Sequence, residues 1–453
     1  MQEKTIAAIS TALGESAVGM IRISGSEAIA VADRVFCAVS GKPLSSLKGY
    51  AAAYGEVKDG ERVIDDGVAL VFRAPKSYTG EDVVEITLHG GRLLLLEALR
   101  LILENGAKPA APGEFTKRAF LNGKTDLTKA ESIMGLISAK SSAELRLSRA
   151  AHLGKISKSI AEIEEHLLLL DASIAAFSDY PDEELEGVSP AHFAEHLDFA
   201  ENALQRMLSS YEAGRVLREG VETAIVGKPN VGKSTVMNLL SGTERSIVTE
   251  IPGTTRDVVE ESVIAGGVCL RLADTAGIRK TEDAVEAIGV SRAKDRLDTA
   301  ELVLAVLDAS RPLDEDDRAL LAALRGRTCL VILNKNDLPE QIDRKDLQGF
   351  YTVETSALNG EGYEALCAAI GEITHTAGLD PDSAVLMNER QRACAAKAYE
   401  SIKEAKNALA SGFTTDAVGV CVDDALAALY ELTGKRVTNE VAEEIFEHFC
   451  VGK

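Results

Sequence analysis

No stretch of this 453-residue chain reaches about 18 uninterrupted apolar residues, so the pattern argues against a helix that spans a bilayer. The opening run, Met1-Gln-Glu-Lys-Thr-Ile6, lacks the charged-then-apolar layout of a secretory signal. Cysteine is sparse: the seven are an odd number and unclustered, which argues against a disulfide framework and for a reducing cytosol. Low-complexity tracts are missing, and with 46% hydrophobic residues a folded, soluble, cytoplasmic protein is expected. Positive charge is in deficit. Against 71 Asp and Glu stand 49 Lys and Arg, and the net charge of −22 argues against broad electrostatic binding to nucleic acid. A local basic patch or a basic protein partner stays compatible with it. At this length one core is not enough, and two or three domains are expected.

Three short strings are present in one stretch: Gly227-Lys-Pro-Asn-Val-Gly-Lys-Ser234, Asp274-Thr-Ala-Gly277 and Asn334-Lys-Asn-Asp337. The first is a G-x-x-x-x-G-K-[ST] phosphate loop. Its glycines let backbone N–H groups close around phosphate oxygens, Lys233 supplies a point charge to the β/γ-phosphates, and Ser234 offers Mg²⁺ a hydroxyl. Alone, such a loop serves ATPases as well. Asp274 follows the alternating run Val268–Ala273 and stands where a strand-end carboxylate holds the metal through a water. Asp337 follows the buried-strand run Cys329–Leu333 and can pair with N1–H and the 2-amino group of guanine, which adenine does not offer. Ser356-Ala357, after Phe350–Val353, fits the loop that backs the base. Together they predict a GTP site built from Asn230, Val231, Gly232, Lys233, Ser234, Thr235, Asp274, Thr275, Ala276, Gly277, Asn334, Lys335, Asp337, Ser356 and Ala357.

Periodicity divides the chain. Residues 1–118 read as a mixed α/β unit, with β-rich runs at Val18–Ser24, Gly67–Phe72 and Val83–His89 and a helix over Gly91–Glu104. From about 119 to 219 helices take over. Ile156, Ile160, Ile163, Leu167, Leu170, Ile174 and Phe177 form one apolar stripe, and Phe193, Leu197, Ala200, Leu204, Met207 and Tyr211 form a second. Residues 220–375 alternate strands and helices, the pattern of a doubly wound parallel sheet. Helical periodicity returns over 376–453, at Glu389–Ala410, Cys421–Leu432 and Asn439–Phe449. The expected architecture is a P-loop α/β domain inserted into a discontinuous helical bundle, behind a mixed α/β N-terminal domain.

Two departures from a Ras-type site bear on mechanism. The water-orienting Gln after Asp-x-x-Gly is replaced by Ile278, which has no polar atom, so Arg279, Glu282 and Glu286 are the nearby candidates. Asn230, inside the phosphate loop, fits two readings: a turn-forming residue, or an amide oxygen for a monovalent cation that does the work of an arginine finger. The first switch is expected at Thr249-Glu-Ile-Pro-Gly-Thr-Thr-Arg-Asp257, where Thr254 or Thr255 can complete the Mg²⁺ shell.

These features resemble the TrmE–Era–Der class of GTPases, and the whole chain resembles its MnmE (TrmE) family of bacterial tRNA-modification enzymes. The further motifs are Gly80-Glu-Asp-Val-Val-Glu85 with His89-Gly-Gly91, then Pro112-Gly-Glu-Phe-Thr-Lys-Arg-Ala-Phe-Leu-Asn-Gly-Lys124, and the C-terminal Phe449-Cys-Val-Gly-Lys453. The resemblance implies a homodimer joined through the N-terminal domain, which binds 5-formyl- or methylene-tetrahydrofolate. It implies G domains that pair with the help of K⁺ and hydrolyse GTP without an external activator. It also implies a flavoprotein partner, MnmG (GidA), which carries the FAD. With that partner the family installs an aminomethyl or carboxymethylaminomethyl group at C5 of the wobble uridine of certain tRNAs. Carried over by motif, K⁺ would use Asn230, Thr249, Ile251 and Thr254; Mg²⁺ would use Ser234 and Thr255; Glu286 would orient the water. The switch adds Glu250, Pro252 and Gly253 to the nucleotide site, and the catalytic pair is Glu286 with Lys233.

For folate the resemblance points to Arg22, Glu85, Lys124 and Lys453, a carboxylate for pterin N–H groups and cations for a glutamate tail. Read without it, Arg22 and Glu85 are ordinary polar-face residues and both lysines are surface lysines. Cys450 fits a packed apolar thiol as well as a redox-active one and stays outside the catalytic set. The competing reading of the whole is a GTP-controlled binding switch of the ribosome-assembly or regulatory kind. The acidic balance and the N-terminal motifs disfavour it.

Overall fold

The computed structural model describes residues 4–179, 189–241, 261–272, 299–437, 439–447 and 449–452. Their contacts divide the chain into two compact units, residues 1–134 with 426–453 and residues 135–425.

The first unit holds a seven-stranded sheet of β1 (Ile6–Ile9), β2 (Ser16–Ser24), β3 (Phe36–Ala38), β4 (Ala51–Asp59), β5 (Arg62–Phe72), β6 (Val83–Gly90) and β7 (Lys108–Pro109). The order is β3-β4-β5-β6-β2-β1-β7. Helices α1 (Ala28–Val35) and α2 (Arg92–Glu104) pack on it, and α3 (Glu114–Leu121) and α4 (Leu127–Ser138) follow. Alternation sets the faces: Val84, Ile86 and Leu88 of β6 are buried, Glu85 and Thr87 half-buried and His89 exposed. The buried set meets Ile21, Ile23, Leu95 and Ile102 in one core. Each such aliphatic side chain, fully buried, contributes about 1.5–3 kcal/mol.

In the second unit α5 (Ser142–His152), α6 (Lys155–Asp179), α7 (Pro190–Ser209) and α8 (Tyr211–Glu219) precede β8 (Val221–Val226). Ile156, Ile160, Ile163, Leu167, Leu170 and Ile174 are all buried along α6, as the stripe predicts. Ser189 caps α7, its hydroxyl accepting from the N–H of His192, and Pro190 fits the first helical turn because it has no N–H to satisfy. The second stripe does not occupy one helix. Helix α7 ends at Ser209, and Tyr211 opens α8.

The α/β part continues through α9 (Lys233–Ser241), β9 (Glu261–Ala265), β10 (Val268–Leu272), β11 (Leu302–Asp308), α10 (Glu315–Leu324), β12 (Cys329–Asn334), β13 (Tyr351–Thr355) and α11 (Tyr363–Ile373). Its strand order is β13-β12-β11-β8-β10-β9. Four of these pairings are parallel, but β9 runs antiparallel to β10, because a two-residue Gly266-Gly267 turn joins them and leaves no room for a crossover. The chain returns to helix at α12 (Glu389–Ala410), which packs on α7 and buries small residues such as Ala395, Ala398 and Ala405. Helices α13 (Thr415–Thr433) and α14 (Asn439–Glu447) complete the chain. The fold is therefore a mixed α/β N-terminal part and a helical bundle interrupted by a Ras-like α/β domain.

Candidate functional site

In a parallel α/β sheet, ligands bind beyond the carboxyl ends of the strands. Gly227 follows β8 there, Asp308 ends β11, Asn334 ends β12 and Thr355 ends β13. Between β8 and α9 the loop carries Asn230 in the left-handed region (φ 63°), then buried Val231, then Gly232 at φ 100°. A Cβ on Gly232 would stand 2.1 Å from Nδ2 of Asn334, so no larger residue fits. Lys233 opens α9 and folds back over the loop. Its Nζ donates to the carbonyls of Gly227 and Lys228, both at 2.7 Å, and burial holds its pKa below the usual lysine value. Ser234 is exposed and Thr235 half-buried in the same turn. Lys228 is tied to the cap of α10 through Asp314 and, at 3.0 Å, Asp316.

Asn334 joins three segments. Its Nδ2 donates to the carbonyl of Val231 at 2.9 Å, and its Oδ1 accepts from the N–H of Ala357 at 3.1 Å and from Thr355 Oγ1 at 3.4 Å. Lys335, at φ 67°, sends Nζ to Asp308 Oδ2 at 2.6 Å. Burial alone would raise Asp308, but the bonds from Lys335 and Ser310 outweigh it and keep the carboxyl below its ordinary value. Ser356 Oγ donates to Asp337 Oδ1 at 2.7 Å, which fixes the carboxylate's direction. Asn230 to Thr235, Asn334, Lys335, Asp337, Ser356 and Ala357 thus lie on loops stitched at one end of one sheet. The expected residues Thr249, Glu250, Ile251, Pro252, Gly253, Thr254, Thr255, Asp274, Thr275, Ala276, Gly277 and Glu286 lie outside the described residues. So do Ile278, Arg279 and Glu282. Sequence reasoning missed Asp308, whose signal was an acid closing the otherwise apolar run Leu302–Leu307, and Lys228.

A second polar cluster lies in the first unit. Arg22 and Glu85 are cross-strand partners on β2 and β6, with Nε to Oε1 at 2.9 Å. The guanidinium lies over the rings of Tyr78 (5.0 Å) and Phe115 (5.5 Å), a cation–π arrangement. Its Nη1 donates to the carbonyl of Gly452 at 3.5 Å, which also accepts from Ser10 Oγ at 3.0 Å. Gly452 is at φ 95°, and a Cβ there would meet the carbonyl of Ile9 at 2.4 Å. The C-terminal tail is thereby brought to the strands that carry Arg22 and Glu85. Lys124 instead donates to the carbonyl of Pro75 at 3.0 Å, on the loop that also carries Tyr78. Lys453 lies outside the described residues. Ser10 and Tyr78 were not legible as members of this cluster, because only the fold brings Tyr78 under Arg22 and Ser10 to the carbonyl of Gly452.

Residues 127–450 match the family model of the MnmE helical domain, and residues 5–124 match that of the GTP-binding protein TrmE N-terminus. The helical model spans the inserted α/β part as well, as a discontinuous bundle requires. The chain belongs to the MnmE family. A tRNA modification GTPase MnmE from Lactococcus lactis subsp. cremoris (strain MG1363) is 42% identical over 451 residues, 99% of this chain and 98% of that protein. One of the same name from Carboxydothermus hydrogenoformans is 42% identical over 470 residues and covers 100% of both. Among solved structures, the FeoB G-domain from Methanococcus jannaschii is 27% identical, covering 34% of this chain and 97% of that one, with a TM-score of 0.26. Membership of the MnmE family makes the chain a GTPase. Among the described residues, no helix is long and apolar enough to cross a membrane.

Proposed function

We propose that this MnmE-family chain hydrolyses GTP with Mg²⁺ and K⁺ and acts in the modification of tRNA at C5 of the wobble uridine. The observation that carries the GTP site is the threefold seam at Asn334. It holds the phosphate loop, the Asn-Lys-x-Asp loop and the Ser-Ala loop in one register. The residues present fit the nucleotide. The loop is shaped so that only glycine fits at 232, and Lys233 Nζ lies on backbone carbonyls that a phosphate's charge can replace. Ser234 and Thr255 would hold Mg²⁺, which neutralises charge on the phosphates when bound. Asn230, Thr249, Ile251 and Thr254 would hold K⁺. Asp274 to Gly277 and the switch from Thr249 to Thr255 would complete the pocket, with Glu286 orienting the water. Asp337, aimed by Ser356, would read the guanine edge.

The Arg22–Glu85 pair, with Lys124 and Lys453, would bind 5-formyl- or methylene-tetrahydrofolate. A carboxylate facing donor N–H groups and a guanidinium stacked on aromatic rings suit a flat pterin. A homodimer, a flavoprotein partner of the MnmG (GidA) kind carrying the FAD, and a cytoplasmic location belong to the same proposal. Its domains are residues 1–118, 119–219 with 376–453, and the inserted 220–375. The deciding experiment is GTP turnover of the purified protein in K⁺ against Na⁺ at equal ionic strength. Strong K⁺ stimulation supports the scheme. Equal, slow rates overturn the cation mechanism and favour a switch that waits for an external activator.

A further inference from the structure

The chain carries 71 acidic against 49 basic residues, yet between 135 and 158 five Lys/Arg stand against one Asp/Glu. That one, Glu144, is buried and turned inward, accepting from the N–H of Lys140 at 2.7 Å. The next stretch reverses the balance, with fourteen Asp/Glu against three Lys/Arg between 159 and 220. The local fold brings the five cations to the surface. On α5 the buried positions are Glu144, Leu147, Ser148, Ala150 and Ala151. Arg146 and Arg149, three apart, are therefore on the exposed face, with side chains 49% and 62% accessible. Only Leu153 and Gly154 separate α5 from α6, whose start carries Lys155 and Lys158, both exposed; Lys155 is near enough to act on Asp382 by its charge, and exposed Lys140 precedes α5. Among the described residues, Asp382 and Asp380 face the two arginines, and Glu144 acts on Lys140. Asp382 lies at 3.2 Å from Arg146 Nε and 3.9 Å from Arg149 Nη2, and Asp380 at 4.0 Å from Arg146. Arg146, by hydrogen bond, then Arg149 and Lys155 by their charge, hold Asp382 below its ordinary pKa.

We propose that this exposed basic segment, Lys140, Arg146, Arg149, Lys155 and Lys158, docks the phosphate backbone of the tRNA. The inference rests on the tRNA reading above. A polyanion approaching so acidic a protein is repelled over most of its surface. It gains free energy by releasing counterions only where cations outnumber acids. Surface pairs such as Arg146–Asp382 contribute little, so a phosphate can take the place of the carboxylate at small cost.

The test is the binding of labelled tRNA to the full chain by fluorescence anisotropy between 50 and 200 mM salt. It compares wild type, Lys158→Ala, the triple variant Arg149→Ala/Lys155→Ala/Lys158→Ala, and Lys397→Ala as an exposed control on α12. Intrinsic GTP turnover serves as the check on folding. The triple variant should bind about tenfold or more weakly at the upper salt, with the log–log salt slope reduced by about three. Lys158→Ala alone should reduce it by about one, and Lys397→Ala should leave it unchanged. Wild-type binding by the triple variant overturns the surface and leaves the tRNA reading standing. So does a loss confined to a protein partner, with tRNA binding intact. No binding of tRNA by the wild type overturns both.

Discussion

Nδ2 of Asn334 donates to the carbonyl of Val231 at 2.9 Å, closing a loop of 103 residues between the end of β12 and the phosphate loop. Asn334 is 3% exposed, and the same amide accepts from Ala357, so its truncation leaves a buried acceptor and a buried donor without partners. Asn334→Ala should lower stability by about 1–3 kcal/mol. GTP affinity should fall by about tenfold, since loops no longer held in register lose positioning worth at least one hydrogen bond. Urea unfolding and titration with a fluorescent GTP analogue check the two effects separately. Unchanged affinity would show that the seam stabilises the fold without shaping the nucleotide site.

Arg22 makes the corresponding junction in the first unit, between Glu85 and the carbonyl of Gly452. Arg22→Met keeps a stem over Tyr78 and Phe115 but removes the charge, leaving Glu85 with a side chain only 19% exposed. The pair is largely buried, and the expected cost is about 1–3 kcal/mol. Binding of a tetrahydrofolate should be lost while GTP turnover persists. Calorimetric titration with 5-formyl-tetrahydrofolate decides the matter, and wild-type affinity in the variant would remove Arg22 from the folate site.

Asp308 gives a pH dependence of definite sign. Its folded-state pKa lies below the ordinary aspartate value, because the effect of burial is outweighed by the bonds from Lys335 and Ser310. Between the two values the unfolded chain binds the extra proton, so stability rises with pH there. The contribution is complete above the unfolded value of about 3.9 and disappears as pH falls through the folded one. Urea midpoints of wild type and Asp308→Asn should therefore differ at pH 6 and converge as pH is lowered below about 4. A gap that stays constant across that range would assign the effect of the substitution to packing.

Much of this was legible in the residues. The spacing of Ile156 to Ile174 located a buried helical stripe, and Gly227 to Ser234 placed a strand-loop-helix. The second stripe ran on from Met207 to Tyr211 because α8 resumes the same four-residue step after the break at Ser210, which periodicity does not register. The antiparallel β9 was hidden for a related reason: alternation marks a strand, not its direction. Asn334 was read as part of the GTP site from its motif, but its bonds to Val231 and Ala357 were not legible there. Contacts of that kind, and Ser10 with Gly452, join residues far apart in the chain. They exist only after the sheets form.

The strongest mechanistic prediction concerns the residue that replaces the missing glutamine. Ile278 offers no polar atom to a water. If Glu286 orients the nucleophile and Asn230 holds the cation, their removal should fail differently. Glu286→Ala should bind GTP normally and lose most of its turnover in K⁺ and Na⁺ alike, because no base positions the water in either salt. Asn230→Ala should lower turnover in K⁺ to the level seen in Na⁺, since the water remains placed but the developing charge is no longer met by a cation. Single-turnover hydrolysis in the two salts, with binding measured in parallel, separates the cases. Full activity in Glu286→Ala would transfer the role to another residue, and persistent K⁺ stimulation in Asn230→Ala would leave its left-handed turn, at φ 63°, as the whole of its contribution.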